Sequence, residues 1–296
     1  MLELRPGEPA AEPRDAATVI VVRSAARTGA AAAAPGADLE VFCVRRHTAS
    51  AFLGGAVVFP GGKLDAADLA PGWAAGRARP VGARAMELST PRAGGGADAA
   101  LGLGLAVCAC RETLEEAGIL ASVPALDAHA VEALRGAAAG RFAEALEEAG
   151  ALVLDTAALV PFARWVTPTV ERRRYDTRFY LLPLPPGQVG AHDTHETTQS
   201  LWASPAAVIA GHLAGELWLA PPTLRTLELL ATVADLAGAT ALAKRQSLRP
   251  VCPEFVPADT PLLVLPGDPL HTEREPLVAG PSRFALRDAR FVSEEA

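Results

Sequence analysis

The run Arg111-Glu112-Thr113-Leu114-Glu115-Glu116-Ala117-Gly118-Ile119 constrains this chain more than any other stretch. From Asp98 to Ala117 apolar residues recur at helical spacing, with Val107, Cys110, Leu114 and Ala117 on one side. On that helix Glu112, Glu115 and Glu116 stand at i, i+3 and i+4, so three carboxylates project together from the opposite face. Like charges on adjacent turns repel, and the cluster becomes favourable when its oxygens share a hard divalent cation such as Mg²⁺ or Mn²⁺. Gly118 then closes the helix as a C-cap. The plainer alternative is a solvated acidic face, and a lone E-x-x-E-E would not exceed it.

The surrounding chain supplies the scaffold. Thr18 to Val22 and Glu40 to Val44 are β-branched or apolar runs of strand length, separated by an alanine-rich stretch ending in Pro-Gly that reads as a surface loop. Gly54 to Asp65 reads as a short buried strand closed by a glycine turn at Phe59-Pro60-Gly61-Gly62. Residues 69–97 are broken by Pro71, Pro80, Pro91 and a Gly94-Gly95-Gly96 run, as an inserted excursion would be. One or two helices are expected within 125–149, strands near 159–166, 175–182 and 198–202, helices near 205–214 and 222–237, and short strands at 262–265 and 283–286. Strands flanking a central helix, then more strands and helices, predict a layered mixed α/β fold and not a βαβ series.

Composition removes several function classes. Among 296 residues, 27 Lys and Arg face 34 Asp and Glu, a net charge of -7, which argues against the basic footprint that nucleic acid or an anionic membrane needs. The start, MLELRPGEPAAEPRD, has neither the cationic end nor the apolar run of a signal peptide, and no uncharged apolar run reaches membrane-spanning length, so a cytoplasmic location is expected. Cys43, Cys108, Cys110 and Cys252 form no Cys-x-x-Cys pair and are expected to be free thiols, and the six histidines show no zinc-ligand spacing. Cys108 lies one turn before Glu112 and faces either the candidate site or the core.

The acidic helix and the glycine turn together resemble the Nudix box, G-x5-E-x7-R-E-U-x-E-E-x-G-U. Arg111, Glu112, Glu115, Glu116 and Gly118 match its fixed positions, and the spacing from Gly62 reaches Asp68 where the family has Glu. Between Asp68 and Arg111 lie 42 residues where the standard box has seven, and Thr113 replaces the aliphatic residue. Both departures are similar to the branch named nucleoside diphosphate-linked moiety X motif 19, the coenzyme A diphosphatases, whose box is split by an insertion and reads R-E-T-F-E-E. Trp165-Val166-Thr167-Pro168, Arg174 to Tyr180, and Glu196 with Trp202 to Pro205 resemble downstream segments of that branch.

The resemblance implies a Nudix α/β/α sandwich with a mixed central sheet. Its expected organisation is a flexible arm at 1–15, a hydrolase domain at 16–240 with an insertion at about 69–104, and a C-terminal extension at 241–296 packed on the domain. It implies hydrolysis of a nucleoside diphosphate-linked small molecule, coenzyme A or an acyl-CoA in the motif 19 branch, by a homodimer, while charge and hydropathy give the expectation of no nucleic-acid or membrane partner. The same chemistry on ADP-ribose, NADH or a nucleotide sugar is the alternative within enzymes. A catalytically silent nucleotide-binding module is the alternative outside them.

By that resemblance Glu115 and Glu116 hold Mg²⁺ or Mn²⁺, Glu112 is a further ligand or the general base, and Arg111 orients a carboxylate. Gly61 and Gly62 would approach the substrate. Asp68 is an outer metal ligand or a helix N-cap, Glu196 a late metal ligand or an exposed loop residue, and Arg174 a phosphate contact or a structural strand residue.

Overall fold

Alternation along the strands decides which side of the sheet each helix covers. The computed structural model describes residues 10–25, 38–48, 53–92, 94–193 and 197–296. In chain order it forms β1 (Arg14–Ser24), β2 (Leu39–Arg46), β3 (Val57–Val58), β4 (Gly61–Lys63), α1 (Ala83–Glu87) and α2 (Ala99–Ala117). Then come β5 (Ser122–Val123), α3 (Ala128–Ala138), α4 (Phe142–Glu148), β6 (Val153–Leu154), β7 (Val160–Val166), β8 (Tyr175–Pro183) and β9 (Thr197–Ala203). The last part holds α5 (Pro205–Leu213), α6 (Pro221–Leu230), α7 (Leu236–Arg245), β10 (Pro250–Val251), β11 (Glu254–Val256), β12 (Leu262–Val264), β13 (Arg283–Arg287) and β14 (Arg290–Glu294).

The main sheet runs β10-β7-β8-β1-β2-β3, with β4 also on β1 and β9 also on β2. It is mixed: β1 runs parallel to β8 from Arg14 opposite Tyr175 to Val22 opposite Pro183, and antiparallel to β2 and β4. Along β1, Ala17, Val19 and Val21 enter one core, and Ile20 and Val22 the other. Phe42 and Val44 of β2 and Tyr180 and Leu182 of β8 join the first, while Val41, Cys43, Phe179 and Leu181 join the second. The first core is closed by α2, α3 and α4 through Val107, Leu114, Val131 and Phe142. The second is closed by α5, α6 and α7 through Val208, Leu227 and Leu242, and by Leu263, Phe284 and Phe291 of the antiparallel sheet β11-β12-β13-β14. Helices on both faces of a mixed sheet make the α/β/α sandwich. Among the described residues no helix is long and apolar enough to cross a membrane.

Several boundaries differ from the sequence expectation. Strand β1 already begins at Arg14, inside the expected flexible arm, because Asp15 pairs with Arg178, Glu12 with Arg92, and the Ala11 carbonyl accepts from Arg174. Residues 1–9 and the alanine-rich stretch at 26–37 lie outside the described residues. The expected insertion end at 104 falls within α2, whose N-cap Asp98 accepts hydrogen bonds from the Ala100 and Leu101 N–H groups. The single helix expected at 222–237 is two, since α6 stops at Leu230 and Asp235 caps α7 by accepting from the Gly238 N–H. The expected domain boundary at 240 cuts α7, whose Ala239, Leu242 and Ala243 are continuous core.

The insertion is fastened from three sides. Arg178 donates to the Leu88 carbonyl, Arg164 to the Thr90 carbonyl, and Arg84 to the Ala243 and Gln246 carbonyls at the end of α7.

Candidate active site

Helix α2 and the glycine loop meet edge to edge, and the contact is made by what the glycines lack. A Cβ on Gly62 would lie 2.3 Å from Glu112 Oε1, and one on Gly61 would lie 2.4 Å from the Ala17 carbonyl of β1. The loop therefore presses its bare backbone against the carboxylate on one side and the sheet on the other. The Gly61 N–H donates to Glu116 Oε2 at 2.9 Å, which accounts for a carboxylate only 3% exposed. Gly118 caps α2 with φ 60°, its N–H returning to the Leu114 carbonyl.

Arg111 holds the two halves of the split motif together. Its Nε and Nη2 donate to both oxygens of Asp68 at 2.9 Å, a bidentate pair across 43 positions of sequence. Its Nη1 donates to Glu112 at 2.8 Å and Glu115 at 3.0 Å, and its Nη2 also reaches the Lys63 carbonyl of the loop. Burial opposes the charge on Arg111, but Asp68 and Glu112 outweigh it and hold the guanidinium above its ordinary value. Burial also pushes Glu112 up to about 7; Arg111 opposes that rise, while Glu115 and Asp68 add to it.

Asp68 is not the helix N-cap. Asp65 is the cap of the short 3-10 turn Ala66–Leu69, and Asp68 is its third residue, accepting from the Asp65 N–H and from Arg111. Cys108 is buried beneath the loop, its Sγ donating to the Lys63 carbonyl at 3.4 Å, and burial raises its thiol well above the usual range. Among the described residues Cys43, Cys108, Cys110 and Cys252 are all free thiols.

A cavity of about 510 Å³ opens over this junction. Gly61, Gly62, Arg111, Glu112, Glu115 and Glu116 all line it. Arg174 does not line it: its Nε donates to the Thr167 carbonyl and its Nη1 to the Ala11 carbonyl, so it serves as a strand tie. Glu196 lies outside the described residues.

The downstream segment divides by strand alternation. Tyr175, Thr177 and Phe179 face the cavity, whereas Asp176, Arg178 and Tyr180 face away from it. Asp176 is fully buried and accepts from Arg164 at 2.9 and 2.7 Å and from Arg92 at 2.8 Å.

Arg46 was not singled out in the sequence. It ends β2 next to a bulge, lines the cavity, and brings its guanidinium to 3.8 Å from Glu116, while its buried Nε has no hydrogen-bond partner among the described residues. A basic pair closing the apolar strand, Arg45-Arg46, was the available signal. Lys63 lines the same wall and pairs with Asp65.

Among the described residues no group of three or more His, Cys, Asp or Glu is drawn together to hold an ion. Glu112 and Glu115 are turned onto Arg111, and Glu116 onto the Gly61 N–H. The donor chemistry still fits a hard divalent cation. Among the described residues five carboxylates (Asp65, Asp68, Glu112, Glu115 and Glu116) gather with three cationic side chains (Arg46, Lys63 and Arg111) around the loop, an all-oxygen anionic donor set beside the cavity.

Comparison with known proteins places these features in a family context. A family model described as the NUDT19 Nudix domain matches residues 13–230. The acyl-coenzyme A diphosphatase NUDT19 of Gallus gallus is 30% identical, over 95% of this chain and 85% of that protein. The Homo sapiens protein of the same name is 28% identical, over 81% of this chain and 74% of its own length. Among solved structures, a NUDIX hydrolase from Alicyclobacillus acidocaldarius superposes with a TM-score of 0.59 at 29% identity, covering 78% of this chain and 96% of that one.

Proposed function

The chain belongs to the NUDT19 branch of the Nudix hydrolases and is a Nudix diphosphatase, and from that premise we propose that it cleaves coenzyme A or an acyl-CoA with Mg²⁺ or Mn²⁺. Water adds to one phosphorus of the diphosphate and the P–O–P bond breaks, releasing 3′,5′-ADP and 4′-phosphopantetheine or its acyl derivative. The observation that carries this reading is the junction at Arg111, where the glycine loop and the three glutamates line one cavity despite the insertion between them.

Glu115 and Glu116 would hold the cation, with Glu112 either a third ligand or the group that takes the proton of the attacking water. When bound, the cation neutralises diphosphate oxygens and makes that water more acidic. Arg111 positions Glu112 and Glu115 through its Nη1. Arg46 and Lys63 carry positive charge to the same wall, where the substrate's phosphate oxygens would exchange for their present carboxylate partners. Gly61 and Gly62 give the substrate close access to backbone.

The test is a panel of coenzyme A, acyl-CoA, NADH, ADP-ribose and UDP-glucose with and without Mg²⁺ or Mn²⁺, products identified by mass. Metal-dependent release of 3′,5′-ADP, with kcat/KM highest for a CoA species, supports the proposal. A higher kcat/KM for ADP-ribose or NADH than for every CoA species would replace the substrate.

A further inference from the structure

The cavity has a second, more apolar side. Across β1 from the glycine loop, where Thr18 pairs with Gly61 on one side and Phe179 on the other, Trp165, Phe179, Pro221, Pro222, Pro253 and Leu263 line it, interleaved with the hydroxyl groups of Thr167, Tyr175, Thr177 and Thr223. Trp165, Phe179 and Leu263 belong to one packed cluster with Leu224 of α6, so this wall is contiguous with the second core. Helix α6 starts here, and a helix start ordinarily attracts phosphate through its free N–H groups. This one has fewer of them: Pro221 and Pro222 occupy its first two positions and Leu224 N–H returns to the Ala220 carbonyl, which leaves Thr223 as the first residue of the helix with an N–H of its own. Pro253 likewise offers no N–H.

Two of these wall residues, Pro253 and Leu263, come from the C-terminal segment, beyond the 13–230 span of the family domain. We propose that this segment completes an aliphatic subsite beside the diphosphate, in which Leu263 and Pro253, with Trp165, Phe179 and Pro221-Pro222, take an apolar part of the phosphopantetheinyl-acyl arm of the substrate. The diphosphate then lies by Arg46, Lys63 and the glutamates. At Pro221, Pro222 and Pro253 a nucleobase's ring nitrogens find no N–H and must turn to hydroxyl groups such as those of Thr177 and Thr223, whereas an aliphatic chain needs no partner there. The inference builds on the proposed acyl-CoA reading of the same cavity.

The test separates the two. Methyl, octyl and adenosyl esters of methylenediphosphonate, which resist hydrolysis, are titrated into the full-length protein with Mg²⁺ by calorimetry. The octyl ester is expected to bind at least ~10-fold tighter than the methyl ester, since each buried methylene adds to transfer from water. Leu263→Trp, which fills the subsite, should erase that preference. Leu263→Ala, which cannot overfill the core, should reduce it several-fold, and serves if the tryptophan variant fails to fold by circular dichroism. Equal binding of methyl and octyl esters, an octyl preference that survives both substitutions, or a Leu263-dependent gain for the adenosyl ester instead would overturn the assignment. If the substrate panel shows no CoA turnover but the octyl preference holds, the coenzyme A reading fails and the aliphatic subsite stands. If CoA is cleaved and the preference is absent, only the subsite fails.

Discussion

Asp68→Asn tests whether the insertion-split motif is held shut by one buried ion pair. Asp68 is 1% exposed and receives two hydrogen bonds of 2.9 Å from Arg111, plus one from the Asp65 N–H. Asparagine keeps an acceptor for Asp65 but loses the charge and one of the two acceptors for the guanidinium. Removing one partner of a buried pair costs about 3–5 kcal/mol when the other is stranded. Arg111 retains Glu112 and Glu115, so the loss here should fall lower, about 2–3 kcal/mol. At roughly 2–4 °C per kcal/mol for a domain of this size, the melting midpoint should fall about 5–10 °C. With Asp68 neutral, Arg111 binds Glu112 and Glu115 more strongly, so the concentration of Mg²⁺ needed for half-maximal turnover should also rise. Urea titration of the metal-free protein gives the stability term, and a double-mutant cycle with Arg111→Gln isolates the pair. Additive losses in that cycle, together with an unchanged metal requirement, would refute the idea that Asp68 acts through Arg111.

Further outcomes follow from the same geometry. Gly62→Ala should displace the Glu112 carboxylate and lower kcat with little change in the melting midpoint, whereas Gly61→Ala should destabilise the protein, because its Cβ meets the backbone of Ala17 and Thr18; equal melting midpoints for the two would contradict this. Glu115→Gln or Glu116→Gln should weaken Mg²⁺ binding by at least the ~10- to 100-fold that an outer partner is worth, measured by calorimetry on folded protein. Glu112→Gln should cost ~10²- to 10⁴-fold in kcat at saturating metal if it takes the proton, and a rate restored by excess metal would make it a ligand instead. Burial alone would raise Asp176, but Arg164, Arg178 and Arg92 outweigh it and hold the carboxyl below its ordinary value. Its contribution is therefore present above the unfolded value of about 3.9 and lost as pH falls below it through the folded value. Urea midpoints from pH 6 to pH 2.5 should fall more steeply for wild type than for Asp176→Asn, and parallel curves would remove Asp176 from the acid transition.

What could be read in advance was local. Helix α2 was legible from its apolar period, its Asp98 start and its Gly118 stop, and the strands β1, β2, β7, β8 and β9 from runs of β-branched and apolar residues. The single helix expected at 222–237 misses the break between α6 and α7, because an apolar period continues across it while Asp235 starts a new helix. The strands β11 and β14 are short and half-buried, so their alternation is too brief to stand out.

The sequence by itself determined the chemistry of the candidate site: three glutamates at i, i+3 and i+4 project from one helix face whatever surrounds the helix, and two adjacent glycines offer bare backbone. Tertiary structure alone decided who those groups meet. Arg46, Lys63 and Asp68 reach the glutamates and Arg111 only because β1, β4 and α2 pack together, and Pro253 and Leu263 reach the cavity only because the C-terminal sheet folds back onto the second core. Helical and strand periods set by backbone geometry are fixed within a few residues, whereas a contact across 43 positions or more depends on the closure of every element between its ends.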